Sequence, residues 1–284
     1  MLPYPWIEKQ VFSLALPELR RLLGVWVLRM DRHEICQALA CLVEHQATQM
    51  NLRHLWTRLQ PGIGYAGFMK RLGRVARLVP WLFAQHQRLA DIGKAGLLHS
   101  IDSTLLPIKT EASITPKDWK AGRVTLRKKD GKRVAICGEK GLVVINQDDC
   151  IVHAQLMPSI NHSDMNVLKQ PMILALLGLR HGLLLADRGF SCRAVWVRFD
   201  GLRQTVSGFT LRLISPPHPK SKTPMPAEDR KIYRKRWRIE EVFRQAKSPH
   251  QPYHLTLTGL RQRVFLVAKF TLACLFWNWS KLPL

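Results

Sequence analysis

Apolar residues recur at three- and four-residue spacing over 14–30, 31–49 and 65–89, the period of helices with one buried face. The chain therefore predicts a helical domain over 1–95. Asp31 stands where the second helix needs an N-cap, and Gln60, Pro61 and Gly62 separate it and a short following helix from the third. No clear helix-turn-helix signature is present. After the turn-rich stretch 91–96 the period changes. The runs 97–106, 141–146 and 150–157 are apolar and β-branched, and they predict a strand followed by an antiparallel pair turned at Gln147, Asp148 and Asp149. The basic stretch 108–132 between them, with a turn signal at Asp130 and Gly131, is a hairpin or a loop. A helix over 165–179 follows, with Ser163 or Asp164 as its simplest N-cap. Then come a strand at 183–186, a helix at 192–199, a strand at 209–214, the Pro-rich connection 215–225 and a helix over 231–247. The apolar segment 255–284 predicts a last helix, whose Trp277 and Trp279 suit packing or contact with a second copy. The fold class is α/β: a mixed five-stranded sheet flanked by helices over 96–284, behind the helical domain 1–95.

A few polar residues break this pattern. Asp102 lies inside an apolar strand, where its ionised form must be paired, hydrogen-bonded or metal-bound, unless it is a cap or turn residue. Asp187 ends the buried strand 183–186, where open α/β sheets place their sites, and Gly189 frees the backbone to turn. Arg188 beside it either neutralises Asp187 or meets a ligand. On the helix 231–247, Tyr233, Arg236, Glu240 and Lys247 fall within an arc of roughly 60° at the helical period. Ile232, Ile239, Val242, Phe243 and Ala246 form the apolar face beside it. Glu241 projects about 100° away, which leaves Glu240 as the carboxylate in line with the basic residues. The alternative is a solvated charged face.

Charge narrows the partners. Lys and Arg number 44 against 20 Asp and Glu, a formal charge of +24, and this excess predicts a polyanionic partner. The basic residues are spread along the chain and interleaved with Trp, which favours nucleic acid over an anionic membrane. Lys70, Arg74 and Arg77 form a row at three- and four-residue intervals that suits either a phosphate backbone or solvent. The six cysteines form no CxxC pair and read as reduced, mostly buried thiols. His33, Cys36, Cys41 and His45 match no common zinc spacing. The N-terminus carries no secretory pattern and the apolar run 264–277 is too short to span a bilayer, so the expected location is intracellular and cytoplasmic.

The spacing of Tyr233, Arg236, Glu240 and Lys247 resembles the YREK signature of insertion-sequence DDE transposases, with all four positions matched. The stretch Ala186, Asp187, Arg188, Gly189, Phe190 resembles that family's second catalytic motif, and Asp102, followed by Ser103, its first. The resemblance covers about 97–280 and implies a ribonuclease H-like fold in which three carboxylates converge. It implies that Asp102, Asp187 and Glu240 are catalytic and hold two divalent cations, Mg2+ or Mn2+, about 4 Å apart for in-line phosphoryl transfer. Tyr233, Arg236 and Lys247 would hold transposon-end phosphates, aided by Arg188, with Lys70, Arg74 and Arg77 as further DNA contacts. The expected activity is metal-dependent cleavage at transposon ends followed by strand transfer to target DNA. The expected partners are those DNAs and a second copy of the chain in the DNA complex, without a membrane. The short interval between Asp187 and Glu240 leaves no room for the long β-rich insertion of the best-known YREK members. Two other readings fit the same basic chain: a catalytically silent transposase-derived DNA-binding regulator, and a related nuclease without strand transfer.

Overall fold

The computed structural model describes residues 4–25, 29–59, 62–92, 97–110, 123–127, 131, 133–157, 164–169, 180–190, 192–217, 223–248 and 262–283. The chain divides into two compact units, residues 91–245 and residues 1–90 with 246–284.

The first of these is built on a sheet of β1 (Leu98–Thr110), β2 (Arg123–Arg127), β3 (Arg133–Asn146), β4 (Ile151–Leu156), β5 (Leu183–Ala186) and β6 (Arg212–Ile214). Its order is β2-β3-β1-β5-β6, and β4 also pairs with β3. The long β3 carries β2 on its first half and β4 on its second, so six strands occupy five positions across the sheet. β1 and β3 are antiparallel, whereas β1, β5 and β6 run parallel. This mixed sheet flanked by helices is the ribonuclease H-like α/β arrangement. The basic run expected to be a hairpin or a loop contributes β2, paired antiparallel with the start of β3.

Two backbone devices set the sheet. Asn146 closes the β3–β4 turn by accepting the amides of Asp148 and Cys150, each at 3.0 Å. Gly182, at φ 89°, lets the Leu97 carbonyl approach where any Cβ would collide with it, and Leu183 N–H donates to that carbonyl at 2.6 Å. One sheet face is sealed by a core containing Ile101, Leu142, Val144, Leu184, Ala186 and Leu213. Over it pack Val167 and Leu168 of α7 (Asp164–Lys169) and Val195 and Phe199 of α8 (Arg193–Thr205). The remainder of the helix expected over 165–179 lies outside the described residues.

The single helix expected over 231–247 is three pieces: α9 (Ala227–Tyr233), a 3-10 turn (Arg234–Arg236) and α10 (Trp237–Ala246). Ile239, Val242, Phe243 and Ala246 are buried as expected, while Ile232 is only half-buried. A 3-10 turn eclipses side chains three apart. It thereby brings the Arg236 guanidinium over the Tyr233 ring, 5.8 Å from its centroid.

The helical unit comprises α1 (Tyr4–Ser13), α2 (Leu16–Leu23), α3 (Arg32–Thr48), α4 (Leu52–Leu59), α5 (Tyr65–Val75), α6 (Val79–Leu89) and α11 (Arg263–Lys281). Asp31 caps α3 through a complete capping box with Glu34. Within the expected first helix over 14–30, α2 ends at Gly24, φ 67°, and α1 lies before it, over residues the sequence reading did not assign to a helix. The third is interrupted by a 3-10 turn at Ala76–Leu78 before Pro80, whose ring disfavours a continuous helix through the preceding turn. α11 is buried almost throughout from Phe265 to Asn278 and packs against α3 and α6. Trp277 is buried, and Trp279 stacks with Trp6 and His86 at 5.6 and 5.5 Å, so both serve packing. All six cysteines are free thiols, five of them buried. Among the described residues no helix is long and apolar enough to cross a membrane.

Candidate active site

The last parallel pair between β1 and β5 is Ile101 opposite Ala186, so Asp102 and Asp187 are the next residues on neighbouring strands. Strand alternation turns Ile101 into the core and Asp102 to the opposite face. There Asp102 Oδ1 accepts the Ser103 amide at 2.7 Å and Oδ2 accepts from Arg236 Nη1 at 3.0 Å. Asp102 is still poorly solvated: burial pushes its carboxyl up to about 6, and the negative Asp187 adds to the rise against the Ser103 amide and Arg236.

Asp187 follows β5 and leads into the 3-10 turn Arg188–Phe190. The Ser215 hydroxyl donates to its carbonyl at 2.8 Å. Its carboxylate Oδ1 is buried and takes no hydrogen bond among the described residues. A Cβ on Gly189 would stand 2.9 Å from that oxygen and 3.6 Å from Asp164 Oδ2, so glycine leaves the space the carboxylate uses. Arg188 is exposed and makes no ion pair among the described residues, so it does not neutralise Asp187.

The Arg236 guanidinium binds Asp102 with one nitrogen and Glu240 with the other, and Tyr233 lies against it. Glu240 is exposed, one helical turn beyond Arg236. Burial raises the Tyr233 phenol above its ordinary value, with Arg236 opposing the rise. A second arginine, Arg238, binds Asp149 of the β3–β4 turn at 2.8 Å and fixes α10 to the sheet. Asp102, Asp187, Tyr233, Arg236 and Glu240 thus meet at one end of the parallel strands. Lys247 follows the end of α10 and is exposed. In the helical unit, Lys70, Arg74 and Arg77 are all exposed along α5 and the turn after it.

Sequence reasoning favoured a cap for Asp164 over a role in the site and passed over Lys140, which lies beside it. Asp164, read as a cap, instead accepts the Ser103 hydroxyl at 2.8 Å and the Lys140 ammonium at 3.0 Å. A carboxylate at a strand-to-helix junction was the only local signal for Asp164. Lys140 gave none, because its partner lies on a distant segment.

The site's fit to divalent cations rests on its donors. Carboxylate oxygens suit hard ions such as Mg2+ or Mn2+, and Asp187 Oδ1, without a hydrogen bond among the described residues, beside the buried Asp102 carboxyl is the locus a cation would relieve. Among the described residues no three carboxylate, imidazole or thiol groups are arranged to hold an ion, and Arg236 bridges Asp102 and Glu240. The donor chemistry fits, with Arg236 holding the place of the positive charge.

Residues 97–279 match the family described as Transposase DDE domain. No curated protein and no solved structure matches the chain. Proteins of that family process DNA and generally use divalent metal ions. The match takes in the whole sheet, both aspartates and α10, well over half the chain, which therefore belongs to the transposase DDE domain family.

Proposed function

We propose that the chain cuts DNA at the ends of its own element and joins the freed 3′-hydroxyl to target DNA, with Asp102, Asp187 and Glu240 as its catalytic carboxylates. The observation that carries this reading is the meeting of Asp102 and Asp187 on adjacent parallel strands, where their pairing stops, with Glu240 tied to Asp102 through Arg236. The three carboxylates would hold two Mg2+ or Mn2+ ions, which when bound supply charge to the attacking and leaving oxygens of an in-line displacement. Ser103 and Asp187 set the environment of Asp102: one donates to it, the other opposes its ionisation. Arg236 has two competing anionic partners, the carboxylates without DNA and a backbone phosphate with it, and its planar fork suits both. Tyr233 fixes the plane of that fork by lying against it. Tyr233, Arg236 and Lys247, in the YREK spacing, hold phosphates at the transposon end, and Arg188 adds a charge at the rim. Lys70, Arg74 and Arg77 contact flanking DNA, and the complex contains two copies of the chain.

The test incubates the protein with a supercoiled plasmid carrying its gene and native flanks, a second target plasmid, and Mg2+ or Mn2+. Discrete cleavage at two ends with covalent joining to the target is the expected result. Cleavage without joined products would make the chain a nuclease. Binding without cleavage by folded protein would make it a regulator.

A further inference from the structure

A cleft of about 1070 Å3 opens between α8, β6 and the residues leading into α9. It begins at the active site: Arg188 and Gly189, which follow Asp187, line it, as does Ser215, which bonds the Asp187 carbonyl. Its charges do not cancel. Asp200 and Asp229 in the wall are each held by an arginine of the same wall, Arg203 and Arg212. Arg188 and Arg193 are exposed, and neither has an acidic partner among the described residues. The apolar part is Trp196, which packs against the core while lining the cleft together with Met225 and Pro217. Guanidinium groups with no acidic partner among the described residues, beside a half-buried indole, match a ligand that alternates anionic and flat apolar groups. The volume lies near the upper end of sites for one compact organic ligand, roughly 300–1,000 Å3, so it admits a few nucleotides of one strand and no duplex.

We propose that this cleft seats a short unpaired stretch of one DNA strand running from the reacting phosphate, with phosphates on Arg188 and Arg193 and a base against Trp196. The proposal rests on the DNA-processing reading above and adds a subsite for single-stranded DNA to it. The site needs no metal, because its charges belong to the protein.

The experiment measures fluorescence anisotropy without divalent metal. It compares a short blunt duplex with the same duplex carrying a short single-stranded tail, on either the 5′ or the 3′ end. The wild-type protein is expected to bind one tailed duplex about fivefold or more tightly than the blunt one. Arg193→Gln, at an exposed position, and Trp196→Leu, which keeps an apolar side chain against the core, should each bring that ratio close to one. Equal affinity of the wild type for blunt and tailed DNA, or a ratio undiminished in Arg193→Gln, overturns the cleft assignment and leaves the DNA reading standing. Failure to bind any of the duplexes overturns both.

Discussion

Asp102 sits in a strand environment that disfavours its charge, and its cost is measurable without DNA or metal. Its carboxyl rises from 3.8 to about 6 on folding, so the folded state holds this proton more tightly than the unfolded state. Stability is therefore highest below about pH 4 as far as this group is concerned and falls as pH rises to about 6, by about 3 kcal/mol. Asp102→Asn removes that penalty. In EDTA the variant should be the more stable protein at neutral pH by an amount of this order, and the gain should vanish around pH 4. Urea titrations at the two pH values check it, and a variant less stable at neutral pH would show that the Arg236 ion pair outweighs burial. Gly189→Ala acts on the neighbouring carboxylate: its Cβ would meet Asp187 Oδ1 at 2.9 Å and push it aside. Cleavage should fall on the order of 100-fold, as displacement of a reacting group does, while stability changes within about 0.5 kcal/mol at this exposed position. Unchanged turnover would remove Asp187 from the reaction. Asp102 and Asp187 were legible in the sequence because one interrupts an apolar strand and the other ends one. Asp164 was not, since its bonds to Ser103 and Lys140 join segments far apart in sequence, and an aspartate before a helix also reads as a cap.

Among the elements, the buried strands β1, β4 and β5 and the second half of β3 were visible as apolar runs, and the spacing of Tyr233, Arg236 and Glu240 survived the division of their helix. β2 was left open between a hairpin and a loop because its short alternation, Val124 and Leu126 between Arg123, Thr125 and Arg127, lies in a long basic stretch. The 3-10 turn Arg234–Arg236 left no trace in the helical period because it displaces the chain by less than one residue. In the helical unit, α11 buries Lys269, which donates to Gln49 at 2.8 Å. Burial lowers this ammonium from 10.5 to about 8. A base lowered on folding destabilises the folded state at every pH below its folded value, and the loss is recovered as pH rises from about 8 to 10.5. Lys269→Met should therefore stabilise the protein at pH 7 by up to about 3 kcal/mol, less the lost bond to Gln49. The gain should shrink toward pH 10.5. Denaturation midpoints across that range check the sign, and a destabilised variant at pH 7 would mean that the Gln49 bond outweighs the buried charge.

For the whole molecule, the charge of +24 makes DNA affinity a steep function of salt. Seven basic side chains are proposed to meet phosphates: Lys70, Arg74, Arg77, Arg188, Arg193, Arg236 and Lys247. A slope of log affinity against log salt of about −6 follows if each releases one counterion equivalent. Replacing Lys70, Arg74 and Arg77 together by Gln should flatten it by about 3. An unchanged slope would return that exposed row to solvent. The basic composition was open to reading from the sequence, but the association of α11 with α3 and α6 was not, because an apolar helix does not announce its partner.

The central claim is that Glu240, exposed on α10 and linked to Asp102 through Arg236, completes a catalytic set with Asp102 and Asp187. It is tested most directly by comparing wild type with Glu240→Gln on a plasmid carrying the gene and its flanks, with Mg2+ or Mn2+, while DNA affinity is followed in parallel. The account predicts metal-dependent cleavage at two discrete ends by the wild type, and binding without cleavage by the variant. Cleavage at the wild-type rate by Glu240→Gln would contradict it.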